Sequence, residues 1–278
     1  MDETERTLSV ERIRMIRELR ANQRKLETDS ATISEEVAAL STKYTDLDMT
    51  IEAYDQVNEL HAKLQTLKTE QEKYNQHEKL FDFEQAQSKT LQKAFEDFAP
   101  LHILWNLANE WTTTSTAWVD TPFPQIRADS MNQFINQSCK KITKLKKDLS
   151  EHRDLIENVL VPLQAQIDQL KQRMPLLTKL RHPGIKTKHW EMISEVVGFQ
   201  VQPSMELTLQ NYLDLNLEKW NDSIVEITSA AVQEYSLETS LDQMDNDLQT
   251  LRFVTVNFRE TEHFILHEID EIISILTR

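Results

Sequence analysis

Histidines, carboxylates and a single cysteine are the side chains of this 278-residue sequence with types suited to chemistry. The eight histidines (His61, His77, His102, His152, His182, His189, His263 and His267) are scattered. His263 and His267 stand at i,i+4, the spacing of a zinc-binding helix. No H-E-x-x-H motif accompanies them, and His263 falls in a predicted strand, so no metal site is expected. Cys139 is alone, which excludes an intramolecular disulfide and a multi-cysteine zinc site and suits a reducing compartment. On a predicted helix it is read as inert. No Ser-His-Asp or Cys-His arrangement stands out. Phosphate loops need glycine, and Gly184 and Gly198 are the only two, so neither G-x-x-x-x-G-K-S/T nor G-x-G-x-x-G occurs. The expectation is an interaction or mechanical module with no catalytic, cofactor-binding or metal residue.

The net charge of −15 argues against nucleic acid as a partner, because phosphate binding needs a basic face. The abundant carboxylates are then expected on solvated helix faces. No apolar run reaches membrane-spanning length and the N-terminus MDETERTLSV lacks an apolar h-region, so no membrane contact and a cytosolic setting are expected.

The elements that must position these groups are read as helices. Leu8, Ile13, Ile16 and Leu19 give residues 1–30 a narrow apolar stripe. Ile33, Val37, Leu40, Tyr44, Leu47, Ile51 and Tyr54 alternate steps of four and three, an a/d seam. Val57, Leu60, Leu64 and Leu67 follow after two consecutive steps of three, a stammer in the seam. A seam this short fits a helix in a bundle better than an extended coiled coil. Pro100 interrupts the next pattern, after which Leu104, Trp105, Trp111 and Trp118 form an aromatic face expected to be buried between helices. Thr121-Pro-Phe-Pro124 predicts a loop at 119–126. A helix from about Asp129 carries a solvated basic face of Lys140, Lys144 and Lys147. Ile156 to Met174 is helical again, and Pro162 either kinks that helix or starts a new one; Pro175 poses the same choice. Thr208 is read as the cap of one long helix bearing Leu209, Leu213, Leu217, Trp220, Ile224 and Ile227, with Leu241, Met244 and Leu248 continuing the apolar spacing. Phe253–Phe258 and His263–Leu266 alternate with period two, a β-hairpin, and a closing helix is predicted from about Glu268. The fold class is all-α: elongated helical bundles with one small hairpin at about 253–266. Three segments are expected, 1–99, 100–173 and 174–278.

Met174–Trp190, MPLLTKLRHPGIKTKHW, is the most distinctive stretch. Pro175, Pro183 and Gly184 fix a turn between helices, since proline sets φ and glycine permits positive φ. With Leu180, Arg181, His189 and Trp190 this run resembles the start of the linker in dynein heavy chains. Leu80-Phe81 within Glu78–Phe83 is similar to a signature of the heavy-chain tail. Trp105, Trp111, Trp118 and Pro122 resemble the tryptophan pattern that follows it. Thr208-Leu209, the run Ala231, Glu234, Glu238, Leu241, and then Phe253 with the hairpin resemble the elements after the turn. His182 stands where the family has asparagine, Lys186 and Lys188 where it has arginine, and Leu248 where it has tryptophan; Thr277 and Arg278 stand where it has paired aspartates.

The resemblance covers about residues 78–276 and is strongest for axonemal inner-arm chains. It implies the C-terminal part of the tail, then the N-terminal part of the linker, a lever lying across a ring of ATPase modules absent from this sequence. It implies partners: the rest of the heavy chain, dynein intermediate and light chains and, indirectly, microtubules. ATP and Mg would bind in the absent ring. It implies cytoskeletal placement in a cilium or flagellum. The rival reading is a free-standing helical scaffold or tether, spectrin-like or coiled-coil, with no motor.

Overall fold

A computed structural model describes residues 3–204, 206–250, 254–257, 259, 263–267 and 273. The architecture is all-α with one hairpin. The chain divides into two compact units: unit 1 comprises residues 1–121 and 129–174, and unit 2 comprises residues 122–128 and 175–278.

Unit 1 starts with three helices that pack pairwise: α1 (Glu3–Lys43), α2 (Thr50–Leu80) and α3 (Lys89–Val119). The seam expected from Ile33 to Leu67, with one stammer, is divided between α1 and α2. Asp46 makes the break, accepting the Asp48 N–H at 3.0 Å ahead of a short 3-10 turn at Leu47–Met49. Each helix keeps its own register: Leu26, Ser30, Ile33, Val37, Leu40 and Tyr44 are buried on α1 and just beyond it, and Thr50, Ala53, Val57, Leu60, Leu64 and Leu67 on α2. Ile51 is exposed. The break therefore precedes the apparent stammer: Ile51, Tyr54 and Val57 all lie within α2, whose buried face runs through Thr50, Ala53 and Val57 instead. At the N-terminal end of the expected stripe Leu19 is buried, whereas Leu8 and Ile13 are exposed.

The sequence Leu80-Phe81-Asp-Phe83 is a helix stop. Asp82 adopts φ 59°, and the Phe83 N–H reaches back to the Glu78 carbonyl at 2.9 Å, a Schellman-type closure. The carboxylate of Glu78 is buried and satisfied, accepting from Gln23 Nε2 at 2.7 Å and the Ala86 N–H at 2.8 Å. Leu80 is exposed. Ser88 caps α3 by accepting the Leu91 N–H at 3.1 Å.

Pro100 does not interrupt α3, and the expected division at 99 falls inside this helix. A proline in a helix interior costs about 3 kcal/mol; burial of Phe98, Leu101, Leu104 and Trp105 around it offsets that. Trp105 is fully buried, edge-on to Tyr44. Trp111 is buried and donates from Nε1 to Gln166 at 2.9 Å. Trp118 is half-buried and meets both Trp111 and Phe134 edge-on. Helix α4 (Ala128–Asp148) buries Met131, Ile135, Ile142 and Leu145 and keeps Lys140, Lys144 and Lys147 exposed. A short turn, α5 (Arg153–Leu155), runs through a π-helical turn at Ile156–Leu160 into α6 (Val161–Leu180). Pro162 thus lies inside one continuous helical run, directly after the π-helical turn, rather than starting a new helix. Pro175 stays inside α6.

His61 and His102 stack within unit 1, ring centroids 4.5 Å apart. Burial, and then the neighbouring His61, hold His102 below its usual value of 6.5. A folded-state value below the unfolded one means that the unfolded chain takes up the proton first. Stability contributed here is present above about pH 6.5 and lost as pH falls through the lowered value. Thermal melts should show a falling midpoint between about pH 7.5 and 5.5, and His102→Phe should flatten that slope. An equal slope in the variant would contradict the assignment. Glu27 is lowered by the Thr90 and Ser88 hydroxyls, so its loss begins below its usual 4.5 and stays separate.

Unit 2 holds the segment 122–128, α7 (Thr187–Val197), α8 (Leu209–Asp214), α9 (Asn221–Thr250) and a hairpin. The single helix expected from Thr208 is broken. Asn216 takes φ 49°, a left-handed conformation that asparagine tolerates, and a short 3-10 turn at Leu217–Trp220 leads into α9. Strands β1 (Val254–Asn257) and β2 (Phe264–His267) pair antiparallel with Val254 opposite His267 and Asn257 opposite Phe264. His267 therefore lies on a strand, where the helical i,i+4 argument for zinc lapses. Phe253 and all but Ile273 of the expected closing helix lie outside the described residues.

Candidate functional site

The turn after α6 is built by its own residues. The Arg181 N–H closes on Leu177 at 3.0 Å, and His182 Nδ1 accepts the Gly184 N–H at 3.1 Å. An asparagine side chain makes this same bond to the residue two further on. His182 supplies an equivalent acceptor. Its ring also stands edge-on to Tyr235 of α9.

Gly184 lies against α9. A Cβ there would sit 2.7 Å from Tyr235 Cβ and 2.8 Å from the Ala231 carbonyl oxygen. Its role is close approach, whereas the left-handed conformation falls to Gly198, φ 81°, which ends α7. Ala231, fully buried, is the facing small residue.

Two lysines clip the turn and α7 to α9. Lys186 Nζ reaches both Glu238 carboxylate oxygens at 2.6 Å, and Lys188 Nζ reaches Glu234 at 2.6 Å. Both pairs are half-exposed and screened by solvent, so they chiefly set register. Lys188, then His189, holds the Glu234 carboxyl below its usual range. His189 is buried and orders the start of α7: its Nδ1 accepts the Lys186 N–H at 3.0 Å. Nε2 lies 3.3 Å from Glu234, close enough for attraction without a well-aligned hydrogen bond.

Arg181 and Trp190 enclose the segment that its prolines predict to be plain loop. Phe123 is fully buried, stacked on Tyr212 at 3.7 Å and edge-on to Trp190 at 6.0 Å. The Phe123 N–H donates to the Leu207 carbonyl at 2.8 Å, and Pro122 bridges Thr208. Arg181 lies over the Phe123 ring and donates to the Pro124 carbonyl at 2.7 Å and the Ile126 carbonyl at 3.2 Å. Burial pulls the guanidinium down from its usual range, and it keeps its charge. Burial likewise pushes the Tyr212 phenol up. Thr208 is tied by its N–H to Asn211 Oδ1 at 3.0 Å, which starts α8 with Leu209 buried.

The structure thus brings together Leu180, Arg181, Gly184, His189, Trp190, Thr208, Leu209, Ala231, Glu234 and Glu238, all in unit 2. Leu80, Phe81, Trp105, Trp111 and Trp118 belong to unit 1 and serve its own core and helix ends. Pro175 and Pro183 are exposed, and Leu241 is exposed on α9 beyond the clip. Sequence reasoning does not find Phe123, Pro124, Ile126 and Tyr212. The signal for the first three is an aromatic and an aliphatic residue set beside prolines in a segment expected to be solvated. Nothing in this cluster pairs a nucleophile with a base; what it does is hold backbone segments at fixed separations.

Residues 91–278 match the family model described as dynein heavy chain, N-terminal region 2. Dynein axonemal heavy chain 3 of Homo sapiens is 33% identical over 225 residues, 80% of this chain and 5% of that protein. Dynein axonemal heavy chain 1 of Rattus norvegicus is 29% identical over 203 residues, 73% of this chain and 4% of that protein. Dynein axonemal heavy chain 2 of Homo sapiens is 24% identical over 225 residues, 81% of this chain and 5% of that protein. The chain thus spans only 4% to 5% of the length of these relatives.

Proposed function

The chain belongs to the dynein heavy chains, in their N-terminal region, and from that premise we propose that unit 2 is the start of the linker, a non-catalytic mechanical element of an ATP-driven microtubule motor. The observation that supports this is the fixed turn at Arg181–Gly184. Arg181 pins a distant backbone segment, Gly184 admits α9 to near contact, and Lys186 and Lys188 set the register of α9. A lever must transmit displacement without yielding, and close-packed side chains have low compressibility. The preceding residues are the end of the tail. No catalytic step is assigned to residues 1–278; ATP and Mg belong, on this reading, to a ring elsewhere in the heavy chain. The partners are that remainder of the heavy chain and dynein intermediate and light chains, with microtubules engaged indirectly. The setting is the axoneme of a cilium or flagellum. A free-standing scaffold does not account for the family match over 91–278.

The test uses a complete motor. Arg181→Gln removes the charged donor that holds Pro124 and Ile126. Microtubule gliding velocity should then fall more than basal ATPase rate. Parallel loss of both would indicate defective folding of the motor. Unchanged velocity, with loosening of unit 2 shown by hydrogen exchange, would remove the lever reading.

A further inference from the structure

Helix α1 is basic in an acidic chain. Residues 6–25 hold seven cations, six of them arginine, against two carboxylates, whereas the whole sequence carries a net charge of −15. The helix also runs on past the end of its bundle. Gln23 meets Glu78 at 2.7 Å and Glu27 meets Ser88 at 2.7 Å, where α2 stops and α3 begins. Between Arg6 and Glu18 no residue is buried, and only Ile16 is half-buried. Arg6, Val10, Ile13, Arg17, Arg20 and Arg24 follow one another at steps of four, three, four, three and four, and all are exposed. Val10 is 64% exposed and Ile13 51%. At about 100° per residue the six fall within roughly 80° of one another, and roughly 160° from the buried face of Leu19, Leu26 and Ile33.

Such spacing is that of a helix-to-helix seam, here about 27 Å long and turned away from the bundle that α1 belongs to. The nearby carboxylates do not neutralise it. Glu11 and Glu18 both meet Arg14 on another face, at 3.7 and 3.1 Å. Glu27 is committed to the Ser88 and Thr90 hydroxyls. Arg17, Arg20 and Arg24 pair with no carboxylate among the described residues. They stand at i,i+3 and i,i+4, separations at which like charges destabilise a helix. A partner that brings carboxylates to them relieves that repulsion, and the planar fork of each guanidinium suits a carboxylate. Val10 and Ile13 give the same stripe one apolar turn.

We propose that the Arg6–Arg24 face of α1 docks one acidic helix of a partner protein, with aliphatic residues opposite Val10 and Ile13 and aspartate or glutamate opposite Arg17, Arg20 and Arg24. A second copy does not fit. Laid antiparallel on the same stripe it would set Arg6 on Arg24, Val10 on Arg20 and Ile13 on Arg17. An anionic membrane fits poorly, because a helix that lies in the interface needs a wide apolar face. Here arginine occupies the stripe itself and the apolar part is a single turn. The inference needs only α1 and stands or falls apart from the lever reading.

The experiment uses the 278-residue chain and three designed helical peptides of about six turns. One carries two leucines and three glutamates on one face at the complementary spacing. The second has lysine in place of each glutamate. The third has the composition of the first, rearranged so that the glutamates spread around the helix. Fluorescence anisotropy should show the first binding at least about tenfold tighter than either other, and weakening as salt is raised. Hydrogen exchange should localise protection to residues 6–24. Val10→Ser with Ile13→Ser should weaken binding and leave both the melting temperature and the salt dependence unchanged. Arg17→Glu with Arg20→Glu and Arg24→Glu should transfer preference to the lysine peptide, an outcome that mere unfolding of α1 would not give. Equal binding of the first and third peptides would reduce the stripe to unspecific charge attraction and overturn the proposal. Binding untouched by both variants would overturn it as well. So would self-association by sedimentation, or binding to phosphatidylserine vesicles in preference to the first peptide, that the arginine variant abolishes.

Discussion

Replacing Trp190 with alanine is expected to destabilise unit 2 by about 3–5 kcal/mol. Trp190 is 4% exposed and meets Phe123 and Tyr212 edge-on at 6.0 and 6.3 Å. Removing the indole leaves a void beside Phe123, which lies under Arg181 and cannot move without giving up the bonds to Pro124 and Ile126. Collapse into the void is therefore restricted, which places the cost in the upper part of the range for aromatic truncations. Differential scanning calorimetry should show the transition belonging to unit 2 fall by on the order of 10 °C. Trp190→Phe keeps an edge for the two neighbouring rings and should recover part of the loss. An unchanged transition in the alanine variant would mean that the aromatic cluster does not hold the turn.

This cluster also separates what residues in order can reveal from what they cannot. The Arg181–Trp190 run, with Ala231, Glu234 and Glu238, carries enough specificity to predict a turn fixed against a later helix. His182, Lys186 and Lys188 supply what the turn uses: an acceptor for the Gly184 N–H, and cations for Glu238 and Glu234. Phe123 is not legible, because its pairing with Leu207 and Tyr212 joins segments far apart in the chain and leaves no local periodicity. Hydrophobic spacing reports which face of a segment is apolar. It does not report whether the segment is one helix or two, nor what covers it. The seam from Ile33 to Leu67 illustrates the first failure, since two helices of similar spacing joined at Asp46 look like one. Leu241 and Leu248 illustrate the second: their spacing is that of a core, and they are exposed. The division of the expected long helix at Asn216 rests on one left-handed residue, and many asparagines in helices carry no such signal.

Gly184→Ala is the second large effect expected, and its sign is set by a competition. Alanine restricts the unfolded chain and would stabilise by about 0.4–1 kcal/mol at a site that accepted it. This site does not. The added Cβ would lie 2.7 Å from Tyr235 Cβ and 2.8 Å from the Ala231 carbonyl oxygen. Neither atom is the far end of a flexible side chain: both move only if α9 moves. Overpacking of this kind typically costs about 1–3 kcal/mol, which exceeds the entropic gain, so the net effect is destabilisation. Gly184→Val should cost more. The displacement falls on the register of Lys186 with Glu238 and of Lys188 with Glu234, so hydrogen exchange should rise in α9 around Ala231–Glu238. Two further variants separate causes. A Cβ at Gly198 would meet nothing within 4 Å, yet φ there is 81°. Gly198→Ala should therefore cost about 1–2 kcal/mol from backbone strain alone and leave α9 exchange unchanged. Adding Tyr235→Gly to Gly184→Ala removes one of the two close contacts and leaves the Ala231 carbonyl in place, so rescue should be partial. A neutral or stabilising Gly184→Ala would show that the turn does not approach α9 this closely, and the clamp would lose its central contact.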